Sequence, residues 1–404
     1  MPHIYIREED NTSAGADAGY NIVYVPIVSD ASIGSGIGPI EVHSTSSLKS
    51  ALNIEDKTEI MNIGYVYANQ LLALGLPVLV ETVQSKDAID WSKLTDKGLY
   101  DVKYLTAGGL ELPLTSENST ATNTIEKMLA AAAKRGDCIA LIDHSQIIEP
   151  NKGESYAEAV RRNLGLNHSD SEVGALYANA NLKYAAAFTP WCKFSFSSGA
   201  LPPSFAYLSA YASSVAANPN WYAAAGKYRG VIPQITSVLH SYGDAECNSL
   251  QARSITDDGD FSSDDNKGIA INPITYIRAF GSYVVWGNRT LLNGSTAGGL
   301  TASSFLNVRN LCCDVKKELY SAAREFTFEQ NGDILWVNFS ARIKPLLDKA
   351  LSGNGIKGYK LIKEETNKKG RLKARIRIVA IEAVEDFDLT LEMTDNIESV
   401  EESI

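Results

Sequence analysis

The sequence predicts an α/β domain followed by a smaller α+β domain, with an extended β-strand arm at each end of the chain. Three observations support this prediction. Short apolar segments typical of buried strands alternate with helical patterns as far as residue 300. Two helical patterns and a strictly alternating strand follow. Strand-like segments rich in charged residues lie near both termini, away from any obvious local partner.

Length and composition bound the class of protein. The 404 residues allow two or three domains, and 45% hydrophobic with 21% charged residues is typical of a globular chain. A formal net charge of −11 argues against a general nucleic-acid binder, because phosphate partners require a basic surface. We expect neither a secretory leader nor a membrane span, because no apolar segment approaches the required length.

The first arm is predicted from residues 1–19. Ile4, Tyr5 and Ile6 form a short β-prone run, which charged residues close at 7–10. Residues 11–19 are small and polar, which predicts a flexible linker. A lone strand on a linker must pair either with a distant part of its own chain or with another chain.

From Tyr20 the pattern alternates between strand and helix, which predicts a mixed sheet within an α/β domain. The apolar strands read as buried on both faces of the sheet. The predicted strands cover 21–29, 76–83, 137–143 and 183–188. The predicted helices cover 46–52, 60–74, 124–134, 155–164 and 205–217.

The pattern changes after Asn307 and predicts the α+β domain. One helix is predicted over 308–326 and a second over 340–351. Residues 371–377 then alternate between basic and apolar side chains, as a strand with one solvated face does. The basic positions are Arg371, Lys373, Arg375 and Arg377.

A second amphipathic strand of opposite charge is predicted near the C-terminus. Its apolar positions are Phe387, Leu389 and Leu391, and acidic or polar residues alternate with them. Attraction between the basic and acidic strands of different copies would set both their register and the choice of partner.

Two segments carry residue types found at catalytic or phosphate-binding sites. Asp143, His144 and Ser145 follow a predicted strand, but consecutive residues point in different directions and cannot form a nucleophile–base chain. A polar strand exit is therefore favoured. Three glycines within 34–38 resemble a phosphate loop, yet Pro39 and a strand-like run follow where a helix would have to begin. A flexible turn is favoured there, and a Rossmann-like nucleotide-binding enzyme is the alternative.

No metal or cofactor is predicted. The five histidines are scattered without a metal-ligand spacing. The five cysteines lack a C-x-x-C pair, which predicts reduced thiols and no disulfide framework. Cys312 and Cys313 are adjacent in a predicted helix, where buried packing is the favoured role.

One long segment, 268–311, has a distinctive succession of turn, strand, loop and helix patterns but contains no His, Cys, Asp or Glu. It includes Trp286 and Arg289 in WGNRT, and Arg309 in NVRNL. Without acid–base groups, a structural ion pair or a contact between subunits is a better role for Arg289 than substrate binding. This segment therefore indicates a structural role.

A series of motifs runs in order along nearly the whole chain. PHIYI at 2–6 is similar to P-G-V-Y-V, with His3 in place of Gly. WGNRT at 286–290 is similar to W-G-A-R-T, and FLNVRNL at 305–311 to F-x-x-V-R-R-L, with Asn310 at the second Arg position. Further matches are KYAAAFTPW at 183–191, LPPS at 201–204, AAAG at 223–226, INPI at 271–274 and FTFEQN at 326–331. Together these motifs resemble the contractile tail sheath proteins of myovirus-type bacteriophages and related contractile particles.

The resemblance implies a structural subunit, not an enzyme, without a cofactor. Sheath subunits stack as six-fold rings into a helical sleeve, which contracts and drives an inner tube through the target cell envelope for genome delivery. Terminal arms donate strands to neighbouring subunits. The resemblance thus implies an N-terminal arm and linker (1–19), an outer α/β domain (20–300), a tube-facing α+β domain (301–392) and an acidic arm end (393–404).

Specific residues follow from that resemblance. Those implied at subunit contacts are Ile4, Tyr5, Ile6, Arg371, Lys373, Arg375, Arg377, Phe387, Leu389 and Leu391. Those implied at the junction between the domains are Trp286, Arg289 and Arg309.

The implied partners are further copies of the chain, the inner tail tube protein, and the baseplate and tail terminator proteins, with no nucleic-acid contact and no membrane insertion. The implied location is the tail of a virion assembled in the host cytoplasm. The sheath of a bacteriocin-like particle or of an extracellular injection system is the alternative within this class.

Overall fold

A mixed sheet of eight strands is the framework of the fold. The computed structural model describes residues 21–54, 60–110, 119–164, 181–251, 270–292, 301–365 and 372–383, with the backbone alone at 119–124. The strands in these ranges are β1 (Val23–Val28), β2 (Ile40–Val42), β3 (Val78–Val83), β4 (Tyr104–Leu105), β5 (Ile139–Ile142), β6 (Ala185–Thr189), β7 (Cys192–Phe194), β8 (Ala200–Leu201), β9 (Ile235–Val238), β10 (Asn272–Ile277), β11 (Ser282–Val285), β12 (Ile356–Glu364) and β13 (Lys373–Ala380).

The order of the large sheet is β11–β10–β6–β5–β4–β1–β3–β2. Neighbours from β10 to β3 pair in parallel, whereas the outermost strands β11 and β2 pair antiparallel. The predicted mixed α/β fold is therefore confirmed. Two small antiparallel sheets accompany the large one: β8–β7–β9, and the hairpin β12–β13.

Helices cover both faces of the large sheet and continue beyond it. Those in the described ranges are α1 (Thr45–Ala51), α2 (Ile63–Ala73), α3 (Ser119–Arg135), α4 (Tyr156–Asn163), α5 (Pro203–Val215), α6 (Gly226–Arg229), α7 (Asp244–Leu250), α8 (Leu306–Glu325) and α9 (Asp333–Ser352). None of these helices combines the length and apolarity that crossing a bilayer requires.

Two apolar cores lie on opposite faces of the large sheet. One contains Tyr67 of α2 and Phe205 of α5, and the other contains Met128 of α3. Strand β1 contributes to both, because successive side chains of a strand point to opposite faces. Val25 packs into the first core and Tyr24 into the second. This double coverage explains why the strands read as continuous apolar runs.

Two helix boundaries differ from the sequence prediction for identifiable reasons. Helix α2 begins at Ile63, not at residue 60, because the Asn62 side chain accepts a hydrogen bond from the Tyr65 backbone N–H at 3.2 Å and caps the helix. Helix α9 begins at Asp333, well before the predicted start at residue 340. Its first turns expose Ile334 and Val337 but bury Leu335 and Phe339, so apolar residues on both faces obscure the helical pattern in the sequence.

Helix α8 takes part in two cores. Leu306 and Cys313 pack into the first core of the large sheet. Leu311 and Val315 of the same helix join a third core with α9 and the hairpin β12–β13, which includes Ile343. The C-terminal unit, defined as α8, α9, β12 and β13, is therefore joined to the sheet by a shared helix.

A buried ion pair joins the sheet to α8. Lys103, just before β4, places Nζ 2.8 Å from Oδ1 of Asp314, and both side chains are almost completely removed from water. Asn220 donates a further hydrogen bond to Oδ2 of Asp314. Burial opposes the charged form of Lys103, but attraction to Asp314 and Tyr211 outweighs it and raises the pKa of Lys103 above its ordinary range.

Further polar contacts fix α8 along the same side of the sheet. The hydroxyl of Tyr104 in β4 donates to Oδ1 of Asn310 at 2.7 Å, and both residues are buried. Lys316 Nζ donates to the backbone carbonyl of Gly136 at 2.6 Å. These contacts are buried or partly buried, so moving α8 relative to the sheet would leave polar groups without partners.

Replacing Lys103 with Met should lower the free energy of unfolding by about 3–5 kcal/mol, because Asp314 would remain buried without its cation. The double variant Lys103→Met/Asp314→Leu should lose less, since it buries no unpaired charge. Urea denaturation measures both. Lys363→Met, which removes an exposed ion pair with Asp333, is the control and should change little. A double variant less stable than Lys103→Met would contradict this account.

Candidate functional site

The Asp143–His144–Ser145 segment is a buried polar support. The carboxylate of Asp143 accepts hydrogen bonds from the backbone N–H of Ser204 at 2.8 Å and from its Oγ at 2.6 Å, at the start of α5. His144 contacts the carbonyl of Ser145 through Nδ1 and the hydroxyl of Thr189 through Nε2. The residues therefore hold neighbouring elements together and do not form a catalytic chain, as the sequence interpretation expected.

The glycine-rich segment 34–38 is an open turn between β1 and β2. A Cβ atom added at Gly34, Gly36 or Gly38 would meet no atom within 4 Å. The next element is the short strand β2, and α1 begins only at Thr45. Because a dinucleotide cradle needs a helix starting at the glycines, this geometry supports the turn and not the nucleotide-binding alternative.

The described part of the chain lacks a cluster of metal-ligating side chains. No group of three or more His, Cys, Asp or Glu side chains there could hold a metal ion. All five cysteines are free, as predicted, and Cys313 is buried whereas Cys312 is partly buried. Burial raises the pKa of the Cys313 thiol to about 12, which keeps it protonated and unreactive.

The INPI and WGNRT motifs meet through one asparagine. Asn272 accepts a hydrogen bond from the Arg289 backbone N–H at 2.8 Å and donates to the Arg289 carbonyl, also at 2.8 Å. A Cβ at Gly287 would lie 2.6 Å from Oδ1 of Asn272, so this position requires glycine. The Arg289 side chain is buried, and its guanidinium lies over the ring of Phe305 at 4.6 Å.

A second asparagine pair joins WGNRT to the start of α8. Asn288 Nδ2 donates to Oδ1 of Asn307 at 2.7 Å, and the Asn307 backbone N–H donates to Oδ1 of Asn288 at 3.2 Å. Asn307 also donates to the backbone carbonyls of Trp221 and Ile381. The motifs therefore form one buried hydrogen-bonded junction, and sequence reasoning did not identify its asparagines.

The two other predicted junction residues lie in different environments. Arg309 is buried, with its guanidinium over the Tyr184 ring at 4.7 Å, and its Nε and Nη2 have no hydrogen-bond partner among the described residues. Trp286 belongs to the junction only through its backbone, which donates to the Pro273 carbonyl. Its side chain is 39% exposed and lies beside Phe280 on the surface.

The hairpin β12–β13 is a two-stranded ribbon with one face on α9. Tyr359 is opposite Ile378 and Leu361 is opposite Ile376, and these side chains pack against the third core. In the described ranges no other strand pairs with either outer edge of the ribbon. An isolated two-stranded ribbon is marginally stable in water, and open edges are templates for further strands.

The outward face of the hairpin is basic, as the sequence alternation predicts. Arg377 lies directly opposite Lys360, and like charges in that position destabilise a strand pair. At the other end of this face, Glu364 forms ion pairs with Lys373 at 2.8 Å and Arg375 at 2.6 Å and offsets one of their two positive charges. Among the described residues of this face, positive charge is therefore least compensated at Lys360 and Arg377.

The remaining predicted contact residues lie outside the described residues. They are Ile4, Tyr5, Ile6, Arg371, Phe387, Leu389 and Leu391. The points where both terminal segments leave the fold are nevertheless defined. Asn21 forms part of the wall of a cleft of about 860 Å³ between the end of α5, α8 and α9. Ile381 follows β13, and its backbone contacts Gly355 and Asn307.

The chain matches no protein-family model and no curated protein by sequence. Its fold, however, matches solved structures over nearly the whole length. The sheath complex of the extracellular contractile injection system PVC, in its contracted state, is 18% identical with a TM-score of 0.64, covering 98% of each chain. The contracted helical sheath of the anti-feeding prophage is 16% identical with a TM-score of 0.61, covering 98% of this chain and 99% of that one.

A third solved structure gives the same result. The crystal structure of a sheath tail protein from Desulfitobacterium hafniense is 10% identical with a TM-score of 0.53, covering 94% of this chain and all of that one. The chain therefore has the fold of contractile sheath proteins, and the resemblance seen in the sequence is confirmed at the level of fold.

The buried Asp143 gives the fold a defined pH dependence. Burial raises its pKa from 3.8 to about 7, so its stabilising contribution is complete below about pH 4 and is lost as the pH rises through 7. Asp143→Asn should remove this fall in the free energy of unfolding with rising pH, which is at most about 1.4 kcal/mol per pH unit. Urea unfolding of both proteins at pH 5 and pH 8 measures the change.

His144 also makes the stability pH-dependent, with the opposite sign, and its contribution is common to both proteins. Burial lowers its pKa from 6.5 to about 4, so its contribution is lost as the pH falls through that range. Because both proteins retain His144, its contribution cancels when their stabilities are subtracted at each pH. A stability difference between wild type and Asp143→Asn that is equal at pH 5 and pH 8 would contradict the assignment.

Proposed function

We propose that the chain is a subunit of a contractile sheath, which polymerises around an inner tube and shortens to drive the tube through a target envelope. One observation carries the proposal: in a chain with the sheath fold, the C-terminal unit presents a ribbon whose two edges pair with no other described strand and whose outward face is basic. A protein that acts by assembly needs surfaces whose hydrogen-bonding groups and charges can pair with another copy, and it needs no reaction centre.

Strand donation accounts for the open edges. An added strand gains main-chain hydrogen bonds along an edge, and alternate side chains supply specificity. The chain has two candidate donors, the run Ile4, Tyr5 and Ile6 and the alternating segment that contains Phe387 and Leu389. The ribbon has two edges, so each could receive one donor from a neighbouring copy.

Charge favours the acidic C-terminal segment as one donor. Residues 382–404 carry nine acidic and no basic side chains. A strand from this segment would relieve the repulsion between Lys360 and Arg377, which the ribbon itself leaves uncompensated. Complementary charge would also suppress pairing in the wrong register.

The terminal segments are long enough to reach another subunit. Residues 1–20 precede the described fold and, fully extended, would span roughly 65 Å. They leave beside the cleft at Asn21, between the sheet and the C-terminal unit. In this proposal 1–19 is an interaction arm, 20–300 the outer domain, 301–392 the tube-facing domain and 393–404 the end of the second arm.

The assembly proposed here is a helical stack of six-fold rings that contacts a tube protein, a baseplate and a terminator. Contraction would change contacts between copies while the donated strands persist. The buried contacts of α8 support motion of each subunit as one body. The proposed setting is the tail of a phage particle that is assembled in the host cytoplasm and delivers a genome.

An extracellular contractile injection particle is the second setting. The injection-system sheath has a TM-score of 0.64 with this chain, whereas the Desulfitobacterium hafniense sheath tail protein has 0.53. Isolation of particles that contain this chain decides between the settings. A DNA-filled head indicates a phage tail, and a headless particle indicates an injection system or a bacteriocin-like particle.

Deleting residues 1–12 should leave a folded monomer that cannot polymerise, because one edge of each ribbon would lack its donor. Circular dichroism checks the fold, and negative-stain electron microscopy checks for tubes. Replacing 11–16 with Gly and Ser residues of equal number should retain assembly, because it preserves the reach of the linker. Long, regular tubes from the deletion variant would refute strand donation by this arm.

The variant Lys360→Glu/Arg377→Glu should block polymerisation without unfolding the subunit, because the two opposed side chains remain alike in charge. Changing Glu385, Asp386, Asp388 and Glu392 to Lys in the same chain should restore tubes. Sedimentation of polymers quantifies both effects. Lys127→Glu/Lys152→Glu makes the same change of net charge at exposed positions elsewhere and should assemble normally. Normal tubes from the first variant would exclude the charge pairing.

A further inference from the structure

A second surface has the chemistry of a docking site. The aromatic–basic patch is defined as Lys227, Tyr228, Arg278, Phe280 and Trp286. The Tyr228 side chain is 85% exposed and that of Trp286 is 39% exposed, although large aromatic side chains are usually buried. Phe280 lies between Trp286 and Lys227, with its ring centre 6.1 Å from the ring centre of Trp286 and 5.7 Å from Lys227 Nζ.

The patch is purely basic in charge. Arg278 is exposed in the turn between β10 and β11, and Lys227 lies in α6, 5.8 Å from the ring of Tyr228. The two segments that build the patch, 219–243 and 268–313, contain no Asp or Glu, although the whole chain has 48 acidic residues. Exposed aromatic rings next to Arg are typical of the centres of protein interfaces.

The patch is continuous with the end of the hairpin from which the C-terminal segment leaves. Arg229 stacks on Tyr222 at 4.9 Å, one residue after Trp221. Trp221 Nε1 donates to the Gly353 carbonyl at 2.8 Å, and the Ile381 backbone N–H donates to the Gly355 carbonyl at 3.2 Å. A chain that passes along a hairpin edge therefore has this patch within reach of its end.

We propose that the aromatic–basic patch binds the acidic end, residues 393–404, of a neighbouring copy. This end carries Asp395, Glu398, Glu401 and Glu402, which complement Lys227 and Arg278. Its apolar residues Ile397 and Val400 lie between these acids and suit the rings of Phe280 and Trp286. The choice of a neighbouring copy rests on the proposed function, in which the preceding strand has already crossed to that neighbour.

The patch would then have a distinct role in assembly. Strand pairing on a hairpin edge depends mostly on main-chain hydrogen bonds and tolerates many sequences. A side-chain contact beyond the end of the strand would select a partner and prevent the strand from sliding along the edge. Strand pairing and docking on the patch would then be two linked contacts between the same two copies. The first contact raises the effective concentration for the second, so the copies bind each other more tightly.

Cross-linking between two full-length variants tests this proposal. One variant carries Ala279→Cys, at an exposed position in the patch, and the other carries Ser399→Cys in the acidic end. Both carry Cys312→Ser, because Cys312 is the native thiol that is not fully buried. A disulfide between the two variants can form only between different copies. We expect a covalent dimer when the mixed, polymerised sample is oxidised.

Charge reversal makes the test specific. Lys227→Glu/Arg278→Glu in the first variant should lower the yield of dimer about fivefold or more, and Glu398→Lys/Glu401→Lys in the second should restore it. Trp286→Ala should lower the yield similarly. The matched control places the cysteine at exposed Ala323, near Tyr320, another aromatic residue that is 39% exposed beside an arginine. That variant should give no dimer.

Three outcomes would overturn the proposal. A link that forms only within a chain carrying both cysteines would place the acidic end on its own copy. A dimer that appears only after the five Asp residues in 257–265 are changed to Asn would mean that this segment occupies the patch; Gln251, which precedes it in sequence, donates a hydrogen bond to the Trp286 carbonyl. Sedimenting polymers without any dimer would reject the docking and leave the sheath function intact. An absence of polymers would instead count against the sheath function.

Discussion

The ion pair between Lys103 and Asp314 connects the large sheet to α8 with both side chains removed from water. Separating them would either expose two charges or leave them buried without partners. The cost would be a large fraction of the free energy of unfolding of a typical protein. The neighbouring bond from Tyr104 to Asn310 and the two asparagine-centred contacts at the start of α8 add to this constraint. The sheet and the C-terminal unit are therefore held in one arrangement.

This constraint determines where movement can occur. If the subunit cannot bend between the sheet and α8, then a change in length of the proposed sheath must arise at contacts between subunits. The hairpin β12–β13 suits such contacts, because its open edges and the repulsion between Lys360 and Arg377 leave it incomplete as an isolated ribbon. Arg289 and Arg309, which the sequence analysis placed at a junction between domains, are both buried, and their role at a junction stays a prediction.

Local patterns in the sequence predicted the long buried strands and most of the longer helices, because their periodicity follows directly from burial, but they missed the half-exposed strand β12 and the short helix α7. The alternation around Arg375 placed its side chain on the outward face of β13 correctly. Sequence reasoning missed Lys103, because nothing local indicates that a lysine will find a buried carboxylate more than 200 residues away. It missed Asn272 for the same reason, because the backbone of Arg289 that this side chain binds is 17 residues away in sequence. The exposure of Trp286 also depends on tertiary packing and could not be read from its neighbours.

Strand donation between copies can be seen directly by electron cryomicroscopy of polymers formed by the purified chain. We expect a helical sleeve in which each β12–β13 hairpin lies within a four-stranded sheet, whose two added strands trace back to the terminal segments of neighbouring copies. Hairpins whose edges are covered by the terminal segments of the same copy, or sleeves held together without added strands, would contradict it.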